Sequence, residues 1–268
     1  MCPLFGGKVT VVSDMRKLDS LVESYLQGKF KHELVRHDDY VRSPKVSGYR
    51  SVHLIYRYRG EHPSAAPYNG LLVEVQMRTQ IQHAWAAAVE TMGTFLNQAL
   101  KGSEGPEPWL RFFSLTSSAF AHLEGTPPQP EFAHLNVKET FKEVEKQAYA
   151  LGVREKLAAF SVAMEHINKD EGSGSFHLIT LDPGRKKVWI ESFSQDRLDE
   201  ANAAYAKVEK RALEEKSLQA VLVRTSSVEH LRRAYPSYFL DTKSFIQQLD
   251  RMVRLSNQPL QRTRSARS

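Results

Sequence analysis

The sequence predicts an α+β fold followed by a smaller α/β part. Three observations predict it. Two short strand-like runs, 50–59 and 70–78, flank a loop rich in Pro, Gly and Asn. A run at 79–100 then carries apolar residues at helical spacing. Finally, Glu124-Gly125-Thr126-Pro127-Pro128-Gln129-Pro130 forms the clearest linker in the chain. It sets a domain boundary between 1–125 and 126–268.

Residues 8–12 are rich in β-branched side chains and predict a strand. Residues 14–27 predict an amphipathic helix, with Met15, Leu18, Leu21, Val22 and Tyr25 on one stripe. Ser13 or Asp14 suits its N-cap, and Gly28 suits its stop. In 50–59, Val52, Leu54, Tyr56 and Tyr58 alternate with Ser51, His53, Ile55 and Arg57. The loop 60–69 makes 50–59 and 70–78 an antiparallel pair. The helix 79–100 repeats Ile81, Trp85, Ala88, Met92, Phe95 and Ala99, and a further helix spans 109–123. After the linker come helices at 136–152 and 154–168. A hairpin at 175–182 and 187–193 turns at Asp182-Pro183-Gly184. A helix at 194–215, a strand at 218–224 and helices at 228–234 and 242–255 complete the chain.

The 268-residue chain is 41% hydrophobic and 25% charged, an ordinary globular mix. No run is long enough for a membrane span, and the first residues have no signal-peptide pattern. Cys2 is the only cysteine, which excludes an internal disulfide and a multi-cysteine metal site. A cytoplasmic protein is expected. The net charge of +6 fits anionic small molecules as well as polymers. The basic tail 261–268 reads as disordered and solvated, so nucleic acid is not the expected partner.

The segment Pro44-Lys45-Val46-Ser47-Gly48-Tyr49-Arg50-Ser51-Val52-His53 packs a turn, an aromatic and cations together. Gly48 permits backbone conformations that other residues resist, and such a turn can present Tyr49 outward to stack on a base. Lys45 and Arg50 add positive charge suited to phosphate oxygens. On the next strand, period two places Glu74, Gln76 and Arg78 on one face, with Val73, Val75 and Met77 opposite. A carboxylate can ligate Mg²⁺ or take a proton. His83 and Glu90 share a face of the following helix, opposite Ile81, Trp85 and Met92. Taken singly, each of these is more often a surface turn or a solvated face; their convergence favours a nucleotide site. The glycine loops of Walker or Rossmann type are absent.

The run Asp39-Tyr40-Val41-Arg42-Ser43-Pro44-Lys45-Val46-Ser47-Gly48-Tyr49-Arg50-Ser51-Val52-His53 resembles a family motif, DYI-x-x-PK-x-x-GYRS-x-H. Val73-Glu74-Val75-Gln76-Met77-Arg78-Thr79 and Gln82-His83-Ala84-Trp85-Ala86 resemble the same family's VEVQ-x-RT and H-x-W-A segments. That family is the RelA/SpoT-type alarmone synthetases. The resemblance covers about residues 6–100. It implies a nucleotidyltransferase-like mixed β-sheet flanked by helices. It also implies transfer of the β,γ-pyrophosphate of ATP to the 3′-hydroxyl of GDP or GTP with Mg²⁺, giving (p)ppGpp.

On that resemblance Tyr49 would stack on guanine, and Lys45, Arg50 and His53 would hold phosphates and ribose. Glu74 would bind Mg²⁺ or activate the 3′-hydroxyl, while Gln76, Arg78 and His83 would line the acceptor pocket. The family also has a basic donor-binding segment followed by D-x-x-G-x-R. Gly7 aligns with that glycine, which puts Leu4 at the aspartate and Val9 at the arginine. The ATP side is therefore expected to be missing, Mg²⁺ to bind weakly, and part of the core to be uncovered. Three readings stay open: a GTP pyrophosphokinase, a remnant that binds guanine nucleotide without transfer, and a toxin-type member acting on adenine nucleotides or tRNA. A homo-oligomer is also left open.

Overall fold

The computed structural model describes residues 4–96, 100, 103–160, 175–182, 185, 187–214, 218–226 and 238–257. The expected helix 228–234 and tail 261–268 lie outside the described residues.

The fold is α+β, with a mixed sheet flanked by helices. Strand β1 (Leu4–Val12) leads into helix α1 (Met15–Gln27), then β2 (Glu33–Asp39), β3 (Val52–Arg57) and β4 (Leu72–Thr79). The sheet order is β1-β4-β3-β2. β1 runs parallel to β4, with Val9 opposite Gln76, while β3 is antiparallel to both β4 and β2. Asp14 is the N-cap of α1, its carboxylate accepting from the Lys17 N–H at 3.0 Å. Gly28 ends that helix in an extended conformation (φ −63°), so the stop does not need a left-handed glycine.

β2 was not expected. Its residues are mostly polar and mostly exposed, because it is an edge strand. Such a strand shows little of the hydrophobic alternation that reveals a half-buried one. β3 departs from the expected two-faced pattern for the opposite reason: it is central, and both of its faces are buried. The 60–69 loop contains a 3₁₀ turn, Pro63–Tyr68.

Under one face of the sheet, Leu18, Val41, Val52, Leu54, Tyr56 and Met77 form a small core closed by α1. The larger core lies around α2 (Gln80–Leu96) and α3 (Glu107–Glu124). α2 is buried continuously from Ala84 to Val89, so its burial extends well beyond the stripe of Ile81, Trp85 and Met92. Trp85 Nε1 donates to Phe113 O at 2.9 Å, a buried polar group with its partner. α3 ends at Gly125, in the left-handed region at φ 67°.

Beyond Pro130 come α4 (Val137–Leu151), helical residues 153–160, β5 (Phe176–Asp182), β6 (Lys187–Phe193), α5 (Leu198–Glu214), β7 (Gln219–Arg224) and α6 (Tyr238–Asn257). The second sheet has the order β6-β5-β7, all antiparallel. Residues from both sides of Pro130 share the larger core. Phe160 stacks on Phe95 with ring centroids 3.8 Å apart, and Phe245 packs among Phe112, Phe113 and Phe120. Among the described residues, no helix is long and apolar enough to cross a membrane.

Candidate nucleotide site

The site is built on the ends of β3 and β4 and on the turn before β3. Asp39 organises the entry to that turn: its Oδ1 accepts from the Val41 and Arg42 N–H groups. Gly48 closes the turn at φ 90°, its N–H donating to Lys45 O at 2.7 Å. A β-carbon at Gly48 would stand 2.8 Å from Ser117 Cβ and 3.1 Å from Trp85 Cζ2. Glycine is therefore required twice, by backbone conformation and by contact with α2 and α3. Ser117 Oγ donates to Gly48 O, and Ser114 Oγ donates to Val46 O. The turn is thus docked on α3.

Register brings Gln76 beside His53, and period two adds Glu74 and Arg78 on the same face. Their side chains form a chain of hydrogen bonds. Tyr49 Oη lies 2.9 Å from His53 Nε2, and His53 Nδ1 lies 2.7 Å from Glu74 Oε1. Gln76 Nε2 donates to Glu74 Oε2 at 2.8 Å, and Arg78 Nη2 donates to Gln76 Oε1 at 3.3 Å. Burial pushes the His53 imidazole below its usual value, against the opposing pull of Glu74. A neutral imidazole with its proton on Nδ1 satisfies both contacts: it accepts from Tyr49 and donates to Glu74. The donors therefore converge on the two oxygens of one carboxylate.

Arg78 is 2% exposed, and its Nε and Nη1 have no hydrogen-bond partner among the described residues. A buried guanidinium with open donors is costly unless an anion meets it. Its carbon lies 6.0 Å from the Tyr49 ring centroid. Lys45 is exposed, with Nζ 4.4 Å from the Tyr40 centroid and 5.5 Å from that of Tyr49.

Two expectations are corrected. Tyr49 does not point outward: it is 4% exposed, edge-on to Tyr40 and tied through its hydroxyl to His53. Arg50 does not face the phosphate region. It is 3% exposed, with Nε on Ser117 Oγ, Nη1 on Val41 O and Nη2 on Pro127 O. Burial pulls its guanidinium down to about 10, with Glu124 opposing. Arg50 thus fastens the turn to the segment after α3. Gln129 adds to this, its Nε2 donating to Lys45 O. His83 lies half-buried in the first turns of α2. Sequence reasoning missed Tyr40 and Asp38 as neighbours of the site. Asp38 stands opposite His53 on β2, and Tyr40 packs edge-on to His53 at 5.1 Å. The signal for Asp38 was hidden with the edge strand; Tyr40 stood within the quoted motif.

Mg²⁺ takes oxygen ligands, usually one or two carboxylates together with substrate phosphates. Glu74 is the carboxylate of this cluster, and its oxygens already meet His53 and Gln76. Among the described residues, no group of three or more His, Cys, Asp or Glu could cage a metal. The side chains fit a Mg²⁺ ion held jointly with phosphates and do not fit one held by protein alone.

Residues 7–94 match the family model described as the region found in RelA / SpoT proteins. No curated protein matches the chain. Among solved structures, the chain is similar to small alarmone synthetase 1 from Bacillus subtilis, bound to its product pppGpp: 24% identity over 44% of this chain and 57% of that one, TM-score 0.37. It is also similar to small alarmone synthetase 2 from Bacillus subtilis (21% identity, 44% and 60% covered, TM-score 0.38). A third is a GTP pyrophosphokinase family protein from Streptococcus pneumoniae (21%, 44% and 58%, TM-score 0.36). The chain thus spans 57–60% of the length of these three structures.

Proposed function

We propose that, in this RelA/SpoT-region chain, the face formed by Tyr49, His53, Glu74, Gln76 and Arg78 binds GDP or GTP as the acceptor in (p)ppGpp synthesis. One observation carries the reading. The hydrogen-bond chain that ends on Glu74 starts, through Gln76, from buried Arg78, whose Nε and Nη1 have no hydrogen-bond partner among the described residues. The face therefore offers a base and an anion partner on the same strand, with Gln76 between them. In the reaction, the 3′-oxygen of the acceptor attacks the β-phosphorus of ATP, the bond to the bridging α,β-oxygen breaks, and AMP leaves. Glu74 takes the 3′-hydroxyl proton, with His53 and Gln76 holding its carboxylate in place. Arg78 and Lys45 balance phosphate charge; such transfer rests mainly on positioning and charge neutralisation. Bound Mg²⁺, held by Glu74 and the phosphates, would neutralise charge developing on the transferred group.

A second reading is binding without transfer. It is favoured by β1, where Val9 stands opposite Gln76 and is 37% exposed, so an apolar side chain borders the face where the donor phosphates would need a cation. The test is incubation of the purified chain with labelled ATP, Mg²⁺ and, separately, GDP, GTP, adenine nucleotides or tRNA. Labelled guanosine product that vanishes in Glu74→Gln supports transfer. GTP binding without product, weakened by Tyr49→Ala, supports the second reading. Label appearing only on an adenine nucleotide or tRNA overturns both.

A further inference from the structure

The second sheet ends in a cleft that the RelA/SpoT region does not reach. Phe176, at the start of β5, pairs with Phe193 at the end of β6 and with Arg224 at the end of β7. All three chain ends therefore meet at one edge. From β6 the chain passes through a 3₁₀ turn, Gln195–Arg197, directly into α5. This half-open cleft has a volume of about 450 Å³, and Ser175, Gln195, Leu198, Arg224, Thr225 and Ser226 line it. Small-molecule sites span about 300–1,000 Å³.

Among the described residues, the lining contains no carboxylate. Arg224 is exposed, its guanidinium 5.4 Å from the Phe176 ring centroid, and it has no acidic partner among the described residues. The floor is fixed in advance. Ser175 N–H donates to Phe193 O at 2.8 Å, and Thr225 N–H donates to Ser175 O at 3.0 Å. Thr225 Oγ1 lies 2.9 Å from Nε2 of His177, whose Nδ1 lies 2.9 Å from Ser192 Oγ. His177 is itself 2% exposed. Two of the lining hydroxyl residues are thus anchored to the sheet before any ligand arrives.

We propose that this cleft binds a small molecule carrying a phosphate group. Arg224 forks onto two phosphate oxygens, the geometry a guanidinium is built for. The hydroxyls of Ser175 and Ser226 and the amide of Gln195, added to the Arg224 fork, supply more donors than the two oxygens of a carboxylate can use, which favours the phosphate. The cleft also exceeds the needs of a bare phosphate, and Leu198 gives the remaining space an apolar wall suited to an organic body. The site stands apart from the face around Glu74, so its test does not depend on nucleotide chemistry there.

The full chain, isotopically labelled, is titrated by NMR with inorganic phosphate, with AMP as a phosphomonoester, and with adenosine as its uncharged counterpart. Saturable shifts on the backbone amides of 175–176, 195–198 and 224–226 are expected with AMP, weaker ones with phosphate, and none with adenosine. Arg224→Ala should weaken AMP binding at these amides at least about tenfold with an unchanged melting curve, because a bidentate charged contact is lost. Arg224→Lys should fall between the two, since it keeps charge without the fork. Adenosine binding as well as AMP, or affinity unchanged in Arg224→Ala, overturns the proposal. So does silence of these amides towards both AMP and phosphate.

Discussion

Replacing Gly48 by alanine probes the turn that carries Tyr49. Two costs add. The backbone at φ 90° lies where a β-carbon is disfavoured, at about 1–2 kcal/mol. The new methyl group would then sit 2.8 Å from Ser117 Cβ and 3.1 Å from Ser114 Cα, both on α3. Ser117 and Ser114 also hold the turn through Gly48 O and Val46 O, so they cannot retreat without breaking those bonds. Overpacking of this kind costs about 1–3 kcal/mol. The expected total is about 2–5 kcal/mol, a large part of a typical folding free energy. Gly70 is the internal control: it shares φ 90°, but a β-carbon there meets nothing within 4 Å. Gly70→Ala should show the backbone cost alone. Urea unfolding of both variants, followed by tryptophan fluorescence, gives the two values. If Gly48→Ala is no more destabilising than Gly70→Ala, the docking of the turn against α3 is wrong.

The remaining predictions concern the clamp, the imidazole and a cap. Arg50→Ala strands Val41 O, Pro127 O and Ser117 Oγ and should lower stability by about 2–4 kcal/mol in the same unfolding assay. His53 protonates near 6.5 when unfolded but only at lower pH in the fold, so unfolding takes up a proton once the pH drops below 6.5. Stability should therefore decline as the medium is acidified from about pH 7.5 to about pH 5.5, and His53→Gln should flatten part of that slope. Asp14→Ala removes the acceptor for Lys17 N–H and should cost about 1 kcal/mol, read from thermal melting.

Much of the fold was legible where side chains carried a period. The stripe of Leu18, Leu21, Val22 and Tyr25 marked α1, and alternation along β4 correctly separated Glu74, Gln76 and Arg78 from Val75 and Met77. β2 was invisible because its neighbours lie on one edge only, leaving polar residues free to occupy it. The site was legible as a set of residue types and not as directions. Nothing in the order Gly48-Tyr49-Arg50 says that the tyrosine turns inward, or that the arginine spends its donors on carbonyls. Those directions depend on α3 and on 126–129, which lie far along the chain.

That last dependence reaches beyond architecture. Through Arg50 on Pro127 O and Gln129 on Lys45 O, the turn bearing Tyr49 is tied to the stretch that leads into the second sheet. Seating of residues 126–129 and placement of the turn that bears Tyr49 are thereby linked variables. Whatever the first contributes to the second, the second returns in equal measure. A fragment cut at residue 125 would lose Pro127 and Gln129 together, and with them the preorganisation of the turn, although it would keep Tyr49, His53 and Glu74.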